Sequence, residues 1–195
     1  MRNALIERKT AETAIRLNIE LDGTGKSNIS TGCGFMDHML TLFAHHGKFD
    51  IELQCCGDTN VDYHHSVEDI GICLGEAFAT ALGSKKGIYR YDTVILPMDE
   101  ALILSSVDIS GRAVLRYNVS IPSEKIADFD TELVKEFWLA FVRNSDITLH
   151  IKELDGENSH HIAECIFKAT ARALSNAIRI DEQSKDKIPS TKGVL

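Results

Sequence analysis

Two short stretches carry the residues best suited to chemistry. HHSVED runs from His64 to Asp69, and HHIAEC runs from His160 to Cys165. Each sets two adjacent histidines ahead of a glutamate that lies four residues after the first of them. On a helix, His64 and Glu68 share a face and can grip one ion. His65 sits about 100° round the axis and is expected to reach a different ion. The same holds for His160 with Glu164, and for His161. If the two helices pack as partners they make two sites by exchange: one from His64, Glu68 and His161, the other from His160, Glu164 and His65. Imidazole and carboxylate donors without thiolate suit Mn, Fe, Zn or Co. The plainer alternative is that each histidine pair only caps and hydrogen-bonds a helix N-terminus. Two copies in matching contexts favour metal.

Other residues extend this set. His38, in MDHML, is the natural fourth ligand for one of the sites. Its counterpart region in the second half lies near Glu132 and Glu136, but the sequence repeat places neither opposite His38. His45 and His46 precede Gly47 and can interact with a helix C-terminus, with His46 also within reach of a site. His150 alternates along a strand and reads as structural. Arg90, Arg112, Lys168, Ser190 and Lys192 form a scattered set of phosphate-compatible donors. STKG, late in the tail, suggests a cap over a site. No GxxxxGK[ST] loop is present, so nothing points to nucleotide hydrolysis.

The elements that must position these residues come as a repeat. Glu12 matches Glu100 and Gly23 matches Gly111, each 88 positions on, whereas Asp50 matches Asp146 and His64 matches His160 at a separation of 96. The second half therefore carries about eight extra residues, expected near SIPSEKIADFD. The first half spans 1–86 and the second 87–195. In the first half, strands are predicted at Ala14–Leu21, Ser27–Thr31 and Phe49–Gln54, with helices from Asp37 to His46 and from His64 to about Leu82. In the second, strands are predicted at Ala101–Ile109, Ala113–Ser120 and Ile147–Glu153, with helices over Thr131–Arg143 and from His160 to about Ile178. Both HHxxE stretches open apolar runs of helical spacing. The predicted fold class is α+β: two duplicated α/β sandwich halves, each a mixed sheet backed by two helices.

Composition narrows the setting. At 44% apolar residues in 195, the chain can bury a proper core. No apolar run approaches membrane-spanning length, and MRNALIERKT carries no apolar signal segment. Five cysteines, an odd number with Cys55 and Cys56 adjacent, do not read as a disulfide framework. A cytoplasmic location is expected, with Cys73 and Cys165 buried as small hydrophobes. A net charge of −8 disfavours nucleic acid as a partner but leaves room for an anionic small molecule.

GFMDHML, YHHSVEDIG, PMDEAL, DISGR, FDTEL, SHHIAECIFKATARAL and PSTKGVL together resemble imidazoleglycerol-phosphate dehydratases, from Arg8 to the C-terminal residue. The resemblance is to the monofunctional form, without a fused phosphatase domain. It implies duplicated α/β halves forming one dehydratase domain, an assembly of 24 subunits with intersubunit sites, and two Mn²⁺ per active site. It implies a phosphorylated imidazole substrate that loses a hydroxyl at C3 and a proton at C2. By position, one ion takes His64, Glu68 and His161, and the other takes His38, His65, His160 and Glu164. Many relatives carry a histidine where this chain has Glu136, and often an aspartate where it has Tyr63. Glu12, Arg90, Arg112, Lys168, Ser190 and Lys192 match substrate and phosphate positions. Glu12 is the expected acid/base catalyst, with His46 and Asp99 as further candidates. Two other readings use the same residues: a storage or scaffold protein cemented by metal, and a dinuclear hydrolase.

Overall fold

The computed structural model describes residues 2–195. The first half contributes β1 (Asn3–Lys9), β2 (Thr13–Glu20), β3 (Ser27–Ser30), α1 (Gly34–Gly47), β4 (Asp50–Gly57) and α2 (His64–Leu82). The second contributes β5 (Tyr91–Met98), β6 (Ala101–Asp108), β7 (Val114–Asn118), β8 (Lys125–Ile126), β9 (Phe129–Asp130), α3 (Glu132–Ser145), β10 (Thr148–Asp155) and α4 (Ser159–Ala177). The four-stranded sheets have orders β1-β2-β4-β3 and β5-β6-β10-β7, the same topology twice. In each, the final pair is parallel and the others are antiparallel. The predicted fold class, two duplicated halves each with a mixed sheet backed by two helices, is the one the chain adopts.

Strands β1 and β5 are absent from the sequence reading, and both are sheet edges. An edge strand buries little, so its alternation is faint. In β1 only Ala4 is buried. In β5, Val94, Ile95 and Leu96 are apolar on both faces and Pro97 removes a donor, which an edge tolerates. The extra residues of the second half form the β8–β9 hairpin, inside the stretch where the repeat offset requires them.

The helices pair across the halves. Helix α2 packs on α3 while backing the first sheet, and α4 packs on α1 while backing the second. The two HHxxE helices are therefore not packing partners within one chain, contrary to the exchange expected from sequence. Aromatic rings lock the arrangement. Trp138 of α3 lies 6.0 Å from Phe43 of α1 and 5.1 Å from Phe167 of α4, measured between ring centroids. Phe78 of α2 lies 5.7 Å from Phe141 of α3. Apolar residues of both halves join in one core.

Close approach of α2 to α3 depends on two glycines in mid-helix. A Cβ on Gly71 would lie 2.7 Å from the Phe137 carbonyl oxygen, and one on Gly75 would lie 2.5 Å from that of Phe141. In an exposed helix, Gly→Ala stabilises by about 1 kcal/mol. Here overpacking reverses the sign. Gly75→Ala is expected to destabilise by about 1–3 kcal/mol, measured by urea unfolding. A stabilised variant would show that the helices have room to spare.

Candidate metal and substrate site

Pairing of α1 with α4 sets His38 beside the second HHxxE motif. The imidazole Nε2 atoms of His38 and His160 each lie 3.2 Å from Glu164 Oε2. Ligand atoms of these three residues all fall within 4.8 Å of one another, the one such group of three among the described residues. Glu164 is buried, whereas His38 and His160 are about half exposed. The other carboxylate oxygen of Glu164 forms an ion pair with Lys168, one turn along α4. Burial acts to raise the pKa of Glu164, and the Lys168 ammonium overcomes it, holding the carboxyl below its ordinary value. The donor set is two imidazoles and one carboxylate, open on one side and free of sulfur. It fits a divalent ion that accepts further oxygen or nitrogen ligands.

The N-terminus of α4 is fixed before any ligand arrives. Asn158 caps it, its side chain accepting from the backbone N–H of His160 at 2.9 Å and of His161 at 3.2 Å. In α2 the equivalent bond comes from Asp62, which accepts from the His64 N–H at 2.8 Å. Tyr63 instead donates its hydroxyl to Asp128 at 2.7 Å, which pushes its pKa up to about 12.

The remaining histidines of the motifs sit in separate groups. His64 Nε2 is 3.7 Å from Glu68 on its own helix. His65 presents Nδ1 to Asp58 at 3.0 Å and has Nε2 3.7 Å from Glu12. His161 presents Nδ1 to Glu100 at 2.8 Å and has Nε2 3.8 Å from Asp99. Donating to Asp58 raises the pKa of His65, and donating to Glu100 raises the pKa of His161. Glu100 is itself brought down to about 2, chiefly by His161 and then by the Asn158 N–H.

Helices α1 and α3 clarify Glu136. Each spans 14 residues and ends on a left-handed residue, Lys48 at φ 61° and Asp146 at φ 52°. His38 and Glu136 are both the fifth helical residue. Glu136 therefore does stand opposite His38: α1 and α3 begin 98 positions apart, as do β4 and β10, so the structural counterpart of Asp50 is Thr148 and the sequence match of Asp50 to Asp146 at 96 is out of register by two residues.

Near the other end of α1, His46 is half-buried. Burial, followed by the charges of Lys168, His45, Arg172 and Lys48, pushes its pKa down, so it is neutral at pH 7. His150 is exposed on β10. Cys73 and Cys165 are buried thiols whose pKa values burial pushes up to about 12 and about 11, so neither is a nucleophile.

The anion donors converge elsewhere. Arg90, Ser110, Gly111, Arg112, Ser190, Thr191 and Lys192 line a pocket of about 450 Å³. Arg90 holds a left-handed backbone, φ 77°, and its guanidinium donates to Asp108 at 2.7 Å and to the Pro189 carbonyl at 2.9 Å. Such strain is retained where the surroundings over-determine it. Arg112 is largely exposed; its guanidinium donates to the Ser110 carbonyl at 3.2 Å and lies 3.8 Å from Asp108, leaving its other N–H groups facing solvent. Lys168 lies outside this pocket, beside Glu164. Sequence reasoning missed Asp58 and Glu100 as site residues. PMDEAL contained the second, but an acid beside a stronger candidate, Asp99, carries no distinguishing signal.

A family model for imidazoleglycerol-phosphate dehydratase matches residues 31–174. The imidazoleglycerol-phosphate dehydratase of Methylorubrum extorquens is 55% identical over 195 residues, covering 100% of both chains. That of Pelobacter propionicus is 55% identical over 194 residues, covering 100% of this chain and 99% of its own. The crystal structure of the Staphylococcus aureus imidazoleglycerol-phosphate dehydratase matches with a TM-score of 0.84 at 41% identity, over 92% of this chain and 99% of that one. A Pyrococcus furiosus structure matches at 0.84 and 40% identity, over 97% and 100%.

The Glu164–Lys168 pair yields a stability prediction. A carboxyl with a lowered folded pKa contributes stability above its ordinary value of 4.5 and loses it as the pH falls through the lowered value. Lys168→Met leaves burial unopposed by the ammonium. It is expected to cost about 3–5 kcal/mol near neutral pH and to move acid unfolding to higher pH. An unshifted acid-unfolding curve, followed by circular dichroism on metal-free protein, would remove Lys168 from this role.

Proposed function

The chain belongs to the imidazoleglycerol-phosphate dehydratase family, hydro-lyases of histidine biosynthesis, and from that premise we propose that it dehydrates D-erythro-imidazole-glycerol phosphate to imidazole-acetol phosphate using two Mn²⁺ per active site. The observation that carries the metal requirement is the convergence of His38, His160 and Glu164. One ion would take His38, His65, His160 and Glu164, and the other would take His64, Glu68 and His161, with Glu136 near the latter by its equivalence to His38. When bound, the ions would supply Lewis acidity and a fixed template for the imidazole ring of the substrate.

The residues of the chain account for the rest. Arg112, Lys192 and Ser190 present donors to the phosphate, and Arg90 shapes the pocket from its strained position. Fixing the phosphate fixes the distance from the pocket to the reacting carbons, a positioning effect of several kcal/mol. Glu12 is exposed on the β1–β2 turn, beside His65 Nε2. It takes the proton from C2 while the C3–O bond breaks, and the hydroxyl departs as water once protonated. The resulting enol ketonises. His46, neutral, and Asp99, on the β5–β6 turn, are the further groups able to move a proton.

His65 and His161 sit apart from the His38 group in one chain, each anchored to its own acid. That division supports sites completed between subunits of a homo-oligomer, the 24-subunit assembly that the resemblance implies. Five free cysteines fit a reducing cytoplasm. No helix among the described residues is long and apolar enough to cross a membrane.

Turnover of imidazoleglycerol phosphate by chelator-treated protein, with and without added Mn²⁺, tests the reading. Ketone product is expected only with the ion restored, and full activity after complete chelation would refute the metal requirement. Glu12→Gln is expected to lower kcat by about 10²-fold or more at unchanged metal content, the scale of a lost general base. A kcat near that of the unmodified chain would transfer the role to His46 or Asp99.

A further inference from the structure

Glu12 and Glu100 are repeat counterparts, yet they approach opposite nitrogens of their histidines. Glu12 lies on the turn between β1 and β2, and Glu100 on the turn between β5 and β6. Glu100 takes Nδ1 of His161 at 2.8 Å, whereas Glu12 lies on the Nε2 side of His65 at 3.7 Å. In the first half, Nδ1 is taken instead by Asp58, at 3.0 Å from the β4–α2 loop. An ionised carboxylate only accepts, so the hydrogen in each anchored pair must reside on Nδ1. The neutral ring then has its lone pair on Nε2, the form in which an imidazole binds a metal.

The surroundings of the two acids indicate that stability is not their purpose. Asp58 Oδ1 is buried and has no hydrogen bond among the described residues. A buried unpaired acceptor costs stability. Glu100 also accepts from the Asn158 N–H at 2.7 Å, so it aligns the ring of His161 with the backbone that carries it.

Building on the two-metal reading, we propose that Glu100 and Asp58 are positioning residues. They hold His161 and His65 as Nδ1–H tautomers with Nε2 presented to a metal ion. Asp58 takes the ring nitrogen that the first-half counterpart of Glu100 would otherwise occupy, and so leaves Glu12 free on the reactive side for proton transfer. The two halves thus solve one orientation problem with acids from different loops.

The test reads the tautomers directly. Metal-free protein labelled with ¹⁵N-histidine is examined by magic-angle-spinning NMR at a pH where the imidazoles are neutral. Nδ1–H signals are expected for His65 and His161. Glu100→Ala should abolish the signal of His161 alone, Asp58→Ala should abolish that of His65 alone, and Glu100→Gln, which keeps an acceptor oxygen, should retain it. Persistence of both Nδ1–H forms in the alanine variants would overturn the proposal. Electron paramagnetic resonance titration with Mn²⁺ gives a second arm. Each alanine variant is expected to weaken one of the two ions by about 10–100-fold and to spare the other. Two unchanged affinities would likewise overturn it. If the unmodified protein holds no ion pair, the two-metal reading fails by itself, and the tautomer signals still decide the positioning role.

Discussion

Everything in this molecule depends on helices shared between halves. Helix α2 covers the first sheet and α4 the second, and each turns its other face to a helix of the other half. The seam is sealed by large rings: Phe43, Phe78, Trp138, Phe141 and Phe167 come from all four helices and bury one another. Burial of aromatic rings is among the largest favourable contributions available per residue. The glycines of α2 let the backbones approach closely enough for those rings to meet. The same seam creates chemistry, because only the pairing of α1 with α4 brings His38 to Glu164.

The site shows how charge is managed at such a seam. Glu164 is a buried carboxylate, an expensive object unless paired. Lys168 satisfies one of its oxygens from the same helix, one turn on, and leaves the other facing two imidazoles. The carboxylate is thereby kept ionised and aimed. The anion pocket follows the opposite logic. Arg90 spends its guanidinium on Asp108 and a carbonyl, so it builds the wall, while the more exposed Arg112 touches Asp108 and the Ser110 carbonyl only at longer range.

Much of this was legible in the sequence, for identifiable reasons. The HHxxE stretches announced themselves because helical spacing and metal-ligand spacing coincide at i and i+4. Helix α2 begins and ends where its apolar run does, and α4 nearly so. Of the four edge strands, β3 and β7 were legible, whereas β1 was invisible because it buries only Ala4 and β5 because it carries apolar residues on both faces. The partnership of the helices was misread for a deeper reason. Periodicity identifies the buried face of a helix but not the helix that will bury it, and the exchange between halves is a property of topology alone. Asp58 and Glu100 escaped notice because acids in turns are ordinary; only their distance to a particular ring nitrogen distinguishes them.

The paired helices have one more meaning. Helix α1 meets α4 and helix α3 meets α2, so the first helix of each half packs on the second helix of the other. That reciprocal relation is the isologous contact of a two-fold dimer, here written into a single polypeptide. In a true dimer of identical subunits, every change appears on both sides of the axis at once. Fusion removes that restriction. The chain can place histidine at 38 and glutamate at the equivalent 136, and can anchor one ring with Glu100 while releasing Glu12. Covalent linkage also makes the pairing independent of concentration. What tandem duplication conferred was the freedom for two copies of one scaffold to become unlike each other.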